Sequence, residues 1–78
     1  MKFIEKLKEK RKLKRELQEC IDAVVNWDRV REELDERMSL VTDAEIAKQT
    51  NIQRNLVYKK IQENFDRIIE IQKQLKSL

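Results

Sequence analysis

No glycine and no proline occur anywhere in the 78 residues of this chain. Glycine supplies the positive φ of tight turns and proline the fixed φ that opens them, so a chain lacking both has little with which to build the hairpins of a sheet. What remains, rich in Lys, Glu, Arg, Leu, Gln and Ile, is the composition of long helices. The expected fold class is all-α, a small helical bundle forming a single domain over residues 1–78. A domain this short buries a modest core and commonly gains stability from a partner, so a homodimer is the starting expectation.

Apolar spacing places the helices. From Phe3 to Met38 no strong breaker intervenes, and Leu13, Leu17, Cys20, Val24, Trp27, Arg31, Leu34 and Met38 recur at alternating intervals of four and three. That is a heptad stripe with one polar member, Arg31, widened by Ile21, Val25 and Val30. Residues 1–38 therefore form one long helix, or two if Asn26 and Asp28 cap a break beside Trp27. Residues 8–12, KEKRK, interrupt the stripe and read as a solvated helix end. A second stripe, Val57, Ile61, Phe65, Ile68, Gln72 and Leu75, marks a long C-terminal helix over 54–76, broadened by Ile69 and Ile71.

Between the stripes, Thr42-Asp43-Ala44-Glu45 has the S/T-x-x-E spacing of a capping box, which predicts a helix starting near Asp43 with Thr42 as its cap. Thr50-Asn51 follows, and Asn is the best non-glycine residue for a left-handed turn position. The reading is a short helix, a turn at Asn51 and a new helix near Arg54. Ala47 would stand where two helices cross, and Ile52, Val57 and Ile61 would face inward, which is the register of a helix-turn-helix over 42–62.

Within that window NIQRNLVYKKI, residues 51–61, resembles the NIARSTVYKVI-type stretch at the DNA-binding end of transposon resolvases and DNA invertases. The likeness spans residues 46–62 and does not extend to those enzymes' catalytic domain. It implies double-stranded DNA binding, with Arg54, Tyr58 and Lys59 on the DNA-facing side of a recognition helix. Leu56 stands where that family has a hydroxyl residue, and Lys60 where it has an apolar one. The residues themselves are compatible: Arg suits guanine O6/N7, and Gln53 and Asn55 suit adenine N6/N7. Thr42, Lys48, Tyr58 and Lys60 are suited to phosphates.

The formal charge of +3 is strongly segregated. Residues 1–15 carry eight Lys/Arg against two Glu, and residues 16–45 three Lys/Arg against ten Asp/Glu. Residues 46–62 hold Lys48, Arg54, Lys59 and Lys60 with no acid, and residues 63–78 balance. Two basic blocks thus stand out as seats for a polyanion, the first of them either a second phosphate-binding arm or simply a solvated helix end.

Several classes are disfavoured. There is no His and a single Cys20, which removes the usual zinc donor sets and any internal disulfide, and no other cofactor is called for. No Gly-rich phosphate loop or nucleophile–base pair can be picked out, so an enzyme is not expected. No apolar run reaches the length of a membrane span and the first residues lack a signal peptide's apolar middle, so a cytoplasmic protein is expected. The sequence reading is a sequence-specific DNA-binding protein: a dimeric transcriptional regulator, or a recombination or replication accessory factor of a phage or plasmid. The alternative is a helical interaction or oligomerisation module whose long helices bind a protein partner.

Overall fold

The computed structural model describes residues 2–78, and in it the chain is all-α. Two helices, α1 (Lys2–Leu40) and α2 (Ala44–Ser77), fold back on each other across a three-residue link into an antiparallel hairpin. The molecule measures 63 × 14 × 13 Å. A helix of 39 residues rises about 58 Å at 1.5 Å per residue, so the hairpin is a narrow rod about as long as its first helix.

Polar groups close the link. Ser39 Oγ donates to the Glu36 carbonyl at 2.6 Å as α1 ends. Asp43, with φ −87° and ψ 125°, caps α2, its Oδ1 accepting from the Glu45 amide at 2.8 Å and the Ile46 amide at 3.2 Å. The cap is thus one residue later than the expected Thr42, and α2 starts at Ala44. A carboxylate at this position satisfies two free amides and also complements the helix dipole, which a threonine hydroxyl cannot match.

Of the two interruptions considered, the alternative break beside Trp27 and the expected turn at Asn51, neither occurs. α1 runs unbroken through Asn26 and Trp27, and α2 runs unbroken through Thr50 and Asn51. No residue among those described takes a positive φ. The short helix, turn and recognition helix expected over 42–62 are therefore one continuous helix. The physical reason lies in the packing: Ala47, Thr50, Arg54 and Val57 continue a three-four alternation against α1, with Thr50 only 3% exposed. A turn at Asn51 would lift Thr50 from its seat and leave the carbonyls and amides of two new helix ends without partners.

Every member of the first stripe is buried or half-buried, so the α1 seam is the one expected. On α2 the seam runs through Ala47, Thr50, Arg54, Val57, Ile61, Asn64, Ile68, Ile71 and Leu75. Asn64 and Ile71 take the places expected for Phe65 and Gln72, which are exposed. Asn64 tolerates its position because its Nδ2 donates to the Lys60 carbonyl at 2.8 Å. The fully apolar core is thin: among the described residues the buried hydrophobic ones are Leu13, Leu34, Val57 and Ile71, and of these Ile71 alone is completely enclosed.

Candidate functional site

The acid-free stretch of α2 does not present a single surface. Lys48, Gln53, Asn55, Lys59 and Lys60 are exposed, as is Thr42 in the link, but they point in different directions around the hairpin. Gln53 and Lys60 flank one broad face, Tyr58 lies on the opposite one, and Lys48, Asn55 and Lys59 line the outer side of α2. Arg54, expected to reach a guanine, instead sits in the seam, its side chain 26% exposed.

Arg54 belongs to a polar layer that crosses between the helices. Its Nε donates to Asp35 Oδ1 at 2.7 Å, while Asp35 Oδ2 accepts from Arg31 Nη1 at 2.8 Å. Arg31 Nε donates in turn to Asp28 Oδ1 at 2.8 Å. One carboxylate thus bridges two guanidiniums, one from each helix. Both arginines are held charged more firmly than usual, Arg31 first by its hydrogen bond to Asp28 and Arg54 first by Tyr58, with Asp35 contributing to each. A second tie lies toward the other end, where Arg67 donates to Glu16 Oε1 from Nε and Nη2, each at 2.6 Å. A layer of this kind contributes little net stability, but it disfavours every helix register in which the charges lose their partners.

Beside the layer opens an apolar groove of about 420 Å³, lined by Trp27, Val30, Leu34, Gln53, Leu56, Val57 and Lys60. Trp27, a member of the first stripe, is half-buried and forms the groove wall. Leu56, which fits the recombinase likeness poorly, is 60% exposed at its rim. The signal for the groove was present in the stripe's broadening by Val30 and in Leu56 itself.

Opposite the groove the same hairpin exposes a second apolar band. Tyr58 and Asp28 lie on this face beside Arg31 and Arg54. Phe65 and Ile21 are one heptad from each, and so continue the same track. Val25 and Ile69 stand in the next track outward, 55% and 50% exposed. Cys20, half-buried at the seam, has its thiol pKa pushed up by burial and then by the neighbouring Glu16 carboxylate.

Among the described residues no three metal-ligating side chains converge, and no helix is long and apolar enough to cross a membrane. No family model, curated protein or solved structure matches the chain.

Proposed function

We propose that this chain is a non-catalytic helical-hairpin assembly module. The observation that carries this reading is the exposure of large apolar side chains on both broad faces of a hairpin whose internal seam is already filled. Surfaces of this kind on a small helical protein mark sites of protein–protein contact. The seam arginines support the same reading, because Arg54 and Arg31 are committed to carboxylates within the hairpin and are not displayed to a ligand.

A second reading, double-stranded DNA binding, is favoured by one specific feature. The outer side of α2 between Ile46 and Gln62 carries Lys48, Asn55 and Lys59 with no acid. On this reading an unbroken helix lies against phosphates through its lysines, and Arg54 takes no part. Selection from random duplexes followed by a salt titration separates the two. An assembly module enriches no sequence. Enrichment of one short motif, with affinity falling steeply in salt and lost in Lys48→Ala/Lys59→Ala but not in Arg67→Ala, would establish DNA binding in its place.

A further inference from the structure

Resting on the assembly-module reading, we propose that the partner of the Ile21–Phe65 face is a second copy of this chain, docked antiparallel about a twofold axis that lies across that face. Three independent features of the molecule support this arrangement.

The first is area. The chain exposes 6436 Å². A compact monomer of 9.5 kDa exposes about 5,000 Å², which leaves an excess of roughly 1,400 Å². A standard interface buries about 800 Å² per partner, so the hairpin has the surplus that one such contact removes.

The second is position. Asp35–Arg54 and Glu16–Arg67 tie the helices at two heights, and Ile21 and Phe65 lie between these ties at about the same level. Both are near the middle of their helices, with Val25, Ile69 and Tyr58 around them. A patch centred on a rod meets itself when a copy is turned end for end, which is the self-complementarity a twofold contact requires. The Trp27 groove lies on the other face and toward the link, so the same operation there would leave the terminal halves of both copies without contact.

The third is charge. Along the α1 edge of this face Lys14 stands seven residues before Ile21 and Asp28 seven after it; Arg11 and Glu32 stand ten before and eleven after. Reversal about Ile21 sets Lys14 of each copy near Asp28 of the other, and Arg11 near Glu32. The whole molecule is polarised in the same sense. Its terminal end, residues 1–15 beside 63–78, has an excess of six positive charges, and the remainder an excess of three negative ones. A parallel pair would stack the basic ends on each other; the antiparallel pair sets each against the acidic half of its neighbour.

Sedimentation equilibrium on the full chain tests the contact. A dimer is expected, and Phe65→Asp and Ile69→Asp are each expected to raise its dissociation constant about 30-fold or more while the helical circular dichroism is kept. Leu56→Asp, on the opposite face, leaves it unchanged. Arg11→Glu weakens the dimer and Arg11→Glu/Glu32→Arg restores it. For orientation, Lys8→Cys in a Cys20→Ser background carries a spin label about 20 Å from the axis along the helix, so the two labels of a dimer stand roughly 40 Å apart. A monomer at millimolar concentration, a short label distance, or dissociation by Leu56→Asp but not by Phe65→Asp would each overturn the proposal. A monomer with no enriched duplex would leave the assembly-module reading standing with a different protein as partner, whereas an enriched duplex would remove that reading whatever the oligomeric state.

Discussion

Asp35 on α1 accepts from Arg31 of its own helix and from Arg54 of the other, through different oxygens at 2.8 and 2.7 Å. The carboxylate is what allows two guanidiniums to share one layer of the seam. Removing it leaves like charges facing each other, whereas removing Arg54 leaves an Asp35–Arg31 pair that is still satisfied. Asp35→Ala is therefore expected to lower the urea midpoint more than Arg54→Ala does. Arg54→Met, which keeps an unbranched chain in the seam, is expected to be near neutral in the same titration.

Asn51 is an interior residue of α2, and its substitutions report on that directly. Asn51→Ala is expected to stabilise the hairpin by about 0.5 kcal/mol, because Ala is the better helix former. A residue in a left-handed turn would lose stability instead on the same change. Asn51→Pro is expected to cost about 3 kcal/mol or more through the lost hydrogen bond and the clash with the preceding turn. Thermal melts followed at 222 nm measure both.

The link offers a matched pair. Asp43 Oδ1 serves two amides of α2, whereas Thr42 is exposed and caps nothing. Asp43→Ala is expected to cost about 1 kcal/mol and Thr42→Ala a few tenths at most. Equal losses from both would restore Thr42 as the cap.

Cys20 gives a pH-dependent readout. Its folded pKa is raised by burial and by Glu16, so the thiol form is favoured by folding. The stabilisation is complete below the unfolded thiol value, near pH 8.5, and is lost as the pH climbs through the higher folded value. Iodoacetamide should therefore label Cys20 more slowly in the hairpin than in urea at pH 8, and the rate in the folded protein should reach half its plateau at a higher pH. The unfolding midpoint should fall over the same alkaline window in the native chain but not in Cys20→Ser.

Much of α1 was legible because its seam is continuous: from Leu13 to Met38 the intervals alternate without ambiguity, and even the polar Arg31 falls in step. α2 was harder. After Ile61 the next seam residue lies three or four places on, and hydrophobicity alone favours the aromatic Phe65 over Asn64. The backbone bond of Asn64 to Lys60 shows why the polar residue is accepted. Thr50-Asn51 carries turn chemistry that competes with the three-four spacing running back from Val57 through Arg54 and Thr50, and the contact of Thr50 with α1 decides for the unbroken helix. The exposed lysines were readable as a basic stretch. Arg54 stands three residues before Val57, in step with the seam, but its ion-pair partner was not readable, because it lies 19 positions away on another helix. Local pattern finds periodicity well, and it has no access to a cross-helix ion pair.

The hairpin's two ends differ in how they are held. Phe3 and Leu7 share a small cavity with Leu78, so both extremities of the chain lie at the end away from the link. A pull applied there acts across the seam, parting the helices one layer after another without sliding them past each other. The Glu16–Arg67 tie yields early, and the Asp35 layer holds until the link is nearly reached. Loaded in this way the molecule behaves as a zipper, reclosing from its three-residue link, where the two helices never separate far.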